Sequence, residues 1–596
     1  MSTGSRTERL PSPLTGILAR RAEETPERVA YVHLVDGEEP GERTTYRDLH
    51  DAVRSRAAAL ARLAGRTTSA VLMYPTCLEF VRGWLACATA GLRAAPVQVP
   101  TREYGVQRLR RIADDAGTTL VLTTRAVREQ VLADFGGLPE LAGLELVATD
   151  ELPVAGEPVG LPEPGLSDVA LLQYTSGSTG SPKGVMVTHA NFWANAEETD
   201  ALWPVEDDGV MVSWLPFFHD MGLMLGVVLP LWSGRPAYLM APEAFIRRPS
   251  RWLEALARFR GTHTAAPNFA YDLVVRSGRP RQPVDLSRWR VAINGAEPVH
   301  AGTVERFTAA FAEYGLPATA MAPAYGLAEN TLKVTGCPPE VRASALHLDA
   351  EELRAGRAVP VAAPAAPDSL AGPAGPGGNP PTATVMSCGT VVGDTRVRIV
   401  DPATGRAVGA DQVGEIWVDG PCVTAGYTGR EEENERVFRA RITGEEALGS
   451  YLRTGDMGFA HDGELYVTGR LKDLIIIKGR NHYPQDLEQT VESSHPLLRP
   501  SSSAAFPVQD GEREAVVVVV EADAGALRRS GGEEVVAAVR EAVRRNHRID
   551  LDAVVLIRRG NLPKTTSGKV RRRYCRELYL AGRLQRLGGR LQPVAS

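Results

Sequence analysis

Eleven residues constrain this chain more than any others: Tyr174-Thr175-Ser176-Gly177-Ser178-Thr179-Gly180-Ser181-Pro182-Lys183-Gly184. They follow an apolar run of strand length, Val169 to Tyr174, and lead into a second buried strand. A loop this rich in glycine reaches positive φ and lets backbone N–H groups close on an anion. Its hydroxyls and one ammonium add donors, a set suited to a polyphosphate. A flexible Ser/Gly linker would rarely sit between two buried strands. A Walker A loop needs Gly-Lys-Ser/Thr entering a helix; here Pro182 precedes Lys183 and Gly184 follows it, which disfavours a P-loop kinase or ATPase.

The surrounding pattern is α/β. Leu14 to Glu24, Tyr46 to Leu63 and Arg108 to Ala116 have helical spacing, and Ala70 to Met73 and Thr119 to Leu122 are short apolar runs. Such alternation predicts helices layered on a largely parallel sheet. Arg251 to Phe259 and Val304 to Tyr314 read as amphipathic helices. Ala358 to Thr384 holds seven Pro, four Gly and a single charge, Asp368, so a mobile surface segment is expected there. Strand-like runs resume at Thr395 to Val400, Gly414 to Val418 and Glu464 to Thr468. Near Lys472 the character changes: strands at Asp473 to Gly479 and Ala515 to Glu521 are flanked by helical patterns at Gln485 to Ser493 and Glu534 to His547. The predicted architecture is a large N-terminal α/β domain of layered sheets and helices, residues 1–471, and a small mobile α+β C-terminal domain, residues 472–596.

Composition excludes several classes. With 43% hydrophobic and 23% charged residues, the chain can fill several cores. A net charge of −5 points to neither nucleic acid nor an anionic membrane. The longest apolar stretch, Met221 to Trp232, is broken by Gly226 and Pro230 and is too short to span a bilayer. Six scattered cysteines read as reduced thiols, and the polar first residues do not form a signal peptide, so a cytoplasmic protein is expected.

The glycine-rich loop resembles that of the adenylate-forming superfamily: acyl-CoA synthetases, luciferases and peptide-synthetase adenylation domains. The resemblance continues in order. Gly295-Ala296-Glu297 is similar to the segment lining the adenine pocket, and Tyr325-Gly326-Leu327-Ala328-Glu329 to the aromatic-Gly-x-Thr-Glu box. Tyr451-Leu452-Arg453-Thr454-Gly455-Asp456 resembles the ribose-binding box, Gly469-Arg470-Leu471-Lys472-Asp473 the hinge, and Asn561 to Lys569 the lysine loop of the C-terminal domain. Any one is weak, but the ordered set spans about Leu14 to Leu580.

The resemblance implies ATP and Mg²⁺ as cofactors and assigns roles. Thr175, Ser176, Gly177, Ser178, Thr179, Gly180 and Lys183 would hold phosphates. Gly295, Ala296, Glu297, Tyr325, Gly326, Leu327 and Ala328 would surround the nucleotide. Glu329 would ligate Mg²⁺, Asp456 would accept from two ribose hydroxyls, and Arg470 would donate nearby. Lys569 would bridge the substrate carboxylate and the α-phosphate, and Lys472 would be the hinge. Activating a carboxylate on ATP accumulates charge on phosphate oxygens, so positioned donors and cations suit it.

Local strings point to one branch. Pro216 to Leu223 (Pro-Phe-Phe-His-Asp-Met-Gly-Leu), Ala266 to Asp272, Tyr-Gly-Leu-Ala-Glu at 325–329 and Lys478 to Asp486 resemble fatty acyl-AMP ligases, where Ala328 belongs to the pattern. That branch implies a fatty acid substrate, a holo acyl carrier protein as acceptor, and an insertion, here 337–384, that discriminates against coenzyme A. Trp214, Phe217, Met221, Leu223 and Phe269 are candidate acyl-tunnel residues, and His219 a candidate catalytic gate. Ordinary core packing serves the five apolar residues equally well. An acyl-CoA synthetase, an amino-acid adenylation domain and a catalytically silent binding protein are the competing readings. The tail from Lys564 carries nine basic residues and one acid, Glu577. Arg572, Arg573 and Arg576 are thereby candidates for docking an acidic carrier protein.

Overall fold

The computed structural model describes residues 10–65, 67–153, 160–175, 182–277, 280–363, 382–477, 480–510, 513–525, 527, 532–564, 570–587 and 589–590. Two sheets with helices between them dominate the first part of the chain. One has six strands in the order Glu145–Ala148, Leu120–Thr123, Ser69–Met73, Arg93–Val97, Val169–Thr175 and Lys183–Thr188. All its neighbours are parallel except the last pair. The other has eight strands, with a parallel centre and an antiparallel strand at each edge, Lys333–Gly336 and Glu39–Thr45. This is the expected α/β layering.

Local chemistry accounts for the elements. The helix Tyr46–Leu63 starts at a reciprocal cap between Thr45 and Asp48 and buries Tyr46, Leu49, Val53, Ala57 and Leu60 at helical spacing. The apolar stretch from Met221 onward forms a helical segment through a π-turn at Met224–Val228 and ends in Gly234 at φ +76°, with Leu229, Leu231 and Trp232 buried. Among the described residues, no helix is long and apolar enough to cross a membrane. All six cysteines are free; five are buried and Cys77 is half-buried.

A four-stranded antiparallel sheet, Arg396–Val400, Gly414–Asp419, Leu452–His461 and Glu464–Arg470, follows. Beyond it the apolar clusters around Leu487, Val518 and Val539, and around Phe506, Val517 and Tyr579, draw on the C-terminal part alone. There the all-buried run Val516 to Val520 pairs antiparallel with Ser503–Asp510 and parallel with Ala553–Arg558.

Two expectations are corrected. Asp473 closes a 3₁₀ turn, Leu471–Asp473, and the strand starts later, at Ile475–Ile477. The Pro/Gly-rich stretch is not loose at its ends. Ala345–Asp349 pairs with Thr382–Met386, a five-residue helix Ala350–Arg354 follows the first strand, and Ala358 is buried. Leu348, Leu353 and Ala358 form an apolar cluster with Phe459, Tyr466 and Tyr483, so this segment joins the four-stranded sheet to the C-terminal part. Alternating apolar residues, rather than composition, decided the outcome at these ends. Residues 364–381 lie outside the described set.

Candidate active site

A cavity of ≈1450 Å³ is bounded by residues of both parts of the chain, among them Lys183, His219, Glu297, Tyr325, Glu329, Asp456, Arg470 and Lys472. Motifs spread over three hundred residues thus converge on one space. Ser176, Gly177, Ser178, Thr179, Gly180 and Lys569 lie outside the described residues; Thr175 ends the strand that leads into the loop.

Strand Met321–Gly326 delivers Tyr325. At Gly326 a Cβ would come 2.1 Å from the Leu332 carbonyl oxygen, so only glycine permits this tight return. The return sets Glu329 on the 3₁₀ turn Ala328–Asn330, next to Thr331 at φ +65°. Glu329 Oε1 accepts a 2.7 Å bond from Tyr427 Oη. Enclosure in the cavity wall raises the carboxyl above its ordinary range, and the Tyr427 hydroxyl opposes that rise.

Asp456 and Arg470 are cross-strand partners in the four-stranded sheet. Asp456 Oδ1 accepts from Arg470 Nε at 3.0 Å, and Oδ2 accepts from Tyr325 Oη at 2.8 Å. The carboxylate is buried, and two donors aim it into the cavity wall. Spare lone pairs remain for further hydroxyl donors. Tyr325 therefore contributes its hydroxyl as well as its ring.

The segment Gly295-Ala296-Glu297 has a left-handed residue, Ala296 at φ +67°. Gly295 lies so close to the neighbouring strand that a Cβ would sit 2.9 Å from the Ala324 carbonyl oxygen. Glu297 Oε1 accepts from Phe269 N at 2.6 Å, at the start of helix Asn268–Arg276. One of its oxygens thus serves a helix N-terminus, where an acid is favoured.

His219 bounds the cavity but also caps the short helix Asp220–Leu223, its Nδ1 accepting from Met221 N at 3.3 Å with Asp220 Oδ1 2.6 Å away. Of the five acyl-tunnel candidates only Met221 bounds the cavity. Trp214 stacks on Phe245 at 4.0 Å and meets Phe269 edge-on, Phe217 packs against Phe80, and Leu223 is buried in the main core. Core packing claims those four, and Phe218 and Leu225 take wall positions instead.

Two residues escaped the sequence reading. Tyr427 stands between Glu329, which it hydrogen-bonds, and Lys183, whose Nζ lies 5.1 Å from its ring centroid. Glu433 lies 2.5 Å from Lys183 Nζ. Glu433 is part of an acidic triplet, Glu431 to Glu433, that resembles an ordinary solvated helix start. Among the described residues no group of three or more His, Cys, Asp and Glu could hold a metal ion. Glu329 is nevertheless suited to be one hard oxygen ligand, since Tyr427 occupies only Oε1.

The basic tail needs correction. Arg572 makes a bidentate pair with Glu488, at 2.6 and 2.7 Å. Arg576 Nε donates to the Pro507 carbonyl at 2.8 Å. Arg573 Nη2 donates to the Lys472 carbonyl at 3.2 Å, and its Nε lies 3.6 Å from Asp473. These arginines fasten helix Arg572–Leu580 to its own unit and to the turn Leu471–Asp473, so they do not form a free docking patch.

Comparison with known proteins agrees with this geometry. Residues 18–428 match the AMP-binding enzyme family, and residues 472–588 match the Disco-interacting protein 2-like AMP domain. The chain is 40% identical over 588 residues to the medium-chain-fatty-acid–[acyl-carrier-protein] ligase JamA of Moorena producens, covering 98% of this chain and 97% of that one. It is 35% identical to the long-chain-fatty-acid–AMP ligase FadD32 of Mycolicibacterium smegmatis, covering 89% and 88%. The crystal structure of the Legionella pneumophila fatty acyl-adenylate ligase, in complex with acyl adenylate and pyrophosphate, superposes with a TM-score of 0.71. It is 33% identical, and the match covers 97% of this chain and 98% of that one.

Proposed function

The chain belongs to the AMP-binding enzyme family, in its fatty acyl-AMP ligase branch, and we propose that it activates a fatty acid on ATP and passes the acyl group to a carrier-protein thiol. In the first step a carboxylate oxygen of the acid attacks the α-phosphorus. The α–β P–O bond breaks, and pyrophosphate leaves with the electron pair. In the second step a pantetheine thiolate attacks the acyl carbonyl and AMP leaves. The observation that carries this reading is the convergence of Lys183, Glu329, Asp456 and Arg470 on one cavity that also reaches the turn at Lys472.

Each residue then has a task set by its chemistry. Asp456 accepts from the ribose hydroxyls, and Arg470 keeps the carboxylate in place. Lys183 neutralises phosphate oxygens, and Lys569 does the same at the reacting carboxylate. Glu329 would hold Mg²⁺, which supplies charge neutralisation on the phosphates when bound. Lys472 would be the pivot of a C-terminal domain, residues 472–596, that withdraws Lys569 before thiol attack. Six free cysteines fit a reducing, cytoplasmic compartment.

The test is a mass-spectrometric screen of acids of graded chain length with ATP and Mg²⁺, scored for acyl-AMP. CoA and a holo carrier protein are then offered separately. Acyl-AMP formation followed by transfer to the carrier supports the reading. Absence of acyl-AMP with every acid removes it, and transfer to CoA alone makes the enzyme an acyl-CoA synthetase.

A further inference from the structure

The ammonium of Lys183 is held by an acid of the chain itself. Its Nζ lies 2.5 Å from Glu433 Oε1, with the two side chains 15% and 23% exposed. Arg436 is the next cation, 3.7 Å from the same oxygen. Lys183, Glu433 and Arg436 all bound the cavity that holds Glu329 and Asp456.

Both partners are fixed by backbone, so the pair is not a chance meeting of long side chains. Lys183 opens a strand and pairs with Thr175 across the sheet. The loop that precedes helix Glu431–Phe438 is zipped to this strand by Met186 N to Gly426 O (2.8 Å) and Thr428 N to Gly184 O (2.9 Å). From the helix, buried Asn434, one residue after Glu433, reaches back to that loop, accepting from Tyr427 N at 2.7 Å and donating to Tyr427 O at 2.9 Å. Phe438 meets the Tyr427 ring edge-on at 5.0 Å. Glu433 is therefore presented to Lys183 by packing on three sides.

A carboxylate and a polyphosphate cannot both hold one ammonium at hydrogen-bond distance without strong mutual repulsion. We propose that Glu433 is a positioning residue that competes with the β- and γ-phosphates for Lys183. ATP binding breaks the pair, and re-formation of the pair helps to expel pyrophosphate after the α–β bond has broken. A tight phosphate cradle raises affinity for substrate and leaving group alike, so it slows turnover once release is limiting. An internal anion of equal reach weakens both by the same exchange. The inference rests on the proposed adenylation reaction.

The experiment compares wild type with Glu433→Gln and Glu433→Asp. ATP binding is measured first, by equilibrium dialysis without any acid. Steady-state acyl-AMP formation then gives KM for ATP, kcat, and inhibition by added pyrophosphate. In Glu433→Gln, KM for ATP and the pyrophosphate inhibition constant should each fall about fivefold, the scale of one partly buried charge pair. At the same time kcat should fall. Glu433→Asp, with its shorter reach, should move both constants the same way by a smaller factor. Melting temperatures report folding independently, and Glu433→Asp carries the test if the Gln variant does not fold. Unchanged or raised KM and inhibition constants in a folded variant overturn the proposal, because a merely structural acid or one that orients Lys183 productively gives those results. A wild-type enzyme that binds ATP but makes no acyl-AMP with any acid overturns the proposed reaction instead.

Discussion

Arg354 Nη2 donates to the Asn546 carbonyl oxygen, 3.0 Å away, and so joins the segment after the Tyr-Gly-Leu-Ala-Glu box to the C-terminal unit. Arg354 is buried and also pairs with Glu351 at 3.0 Å. Glu351 in turn faces Arg480 and lies 3.3 Å from Arg548, both in the C-terminal unit. Next to this ionic clasp, Tyr483 packs into the apolar cluster with Leu348 and Leu353.

Glu351→Ala should loosen the clasp without touching the nucleotide residues. Acyl-AMP formation is expected to stay within about twofold, because Glu351 pairs with the arginines of the clasp and with none of the nucleotide residues. Transfer to CoA should rise, since the C-terminal unit is freer to move and admit a second thiol. Deleting 337–384 is a poorer test, because it also removes Leu348 and Leu353 from the core. Transfer assays with CoA and with carrier protein decide the matter, and unchanged CoA transfer would remove this role from the segment.

Asp456→Asn keeps the shape but loses the charge that both Arg470 and a ribose would address. Charge-assisted bonds of this kind contribute roughly 1.5–3 kcal/mol each, so KM for ATP should rise about ten- to a hundredfold. Titration with ATP at saturating acid measures it. A KM within a factor of two of wild type would mean that ribose is held elsewhere.

Lys569→Ala should remove most adenylation, by about 10²–10³ in rate, as losing one charge contact at the reacting centre commonly does. Transfer from added acyl-AMP should persist. Equal loss in both half-reactions would show a structural role for this loop.

Tyr427→Phe takes away the hydroxyl that donates to Glu329. Enclosure already raises this carboxyl, and the hydrogen bond from Tyr427 does most to hold it down. Without the bond, the pKa of Glu329 rises further. The acidic limb of adenylation should therefore move to higher pH, with the alkaline limb unchanged. An unmoved acidic limb would separate Tyr427 from the ionisation of Glu329.

Acid should destabilise the protein through buried histidines. His189 is held down to about 4 by burial, and its Nδ1 accepts from Leu14 N at 3.2 Å, a bond that requires the unprotonated nitrogen. His263 is likewise lowered to about 4, by burial and then by Arg290. The unfolded chain binds these protons near pH 6.5 and the folded chain only near 4. The stability is present above about 6.5 and is lost as pH falls towards 4, by up to about 3 kcal/mol for each group. Melting curves from pH 7.5 to 4.5 should show the decline. His189→Gln, which keeps an acceptor, should flatten it; an identical slope would acquit this residue.

Much of this was readable beforehand, for physical reasons. Leu14 to Glu24 and Tyr46 to Leu63 stand where their spacing placed them, because each has one apolar face and a clear start. The motif residues Lys183, Glu297, Tyr325, Glu329, Asp456 and Arg470, far apart in the chain, all bound one cavity. Glu433 was hidden, because an acid at a helix start normally faces water and its partner lies 250 residues away. Trp214 and Phe217 could not be assigned from sequence, because large apolar residues beside a motif serve a core as readily as a tunnel; both pack in the core. The inward turn of Arg572 was equally invisible, since a run of basic residues gives no hint of a buried Glu488.

The free cysteines bear on a hazard peculiar to any protein that makes activated acyl groups. Cys388 belongs to the cavity wall, yet it is buried and its thiol is pushed up to about 12. At pH 7 only about one molecule in 10⁵ carries the thiolate there, and the thiolate is the nucleophilic form. A mixed anhydride in the cavity therefore meets there a sulfur held almost wholly in its weakly nucleophilic thiol form. Burial thus disfavours self-acylation at Cys388 and leaves the reaction to a thiol brought in from outside.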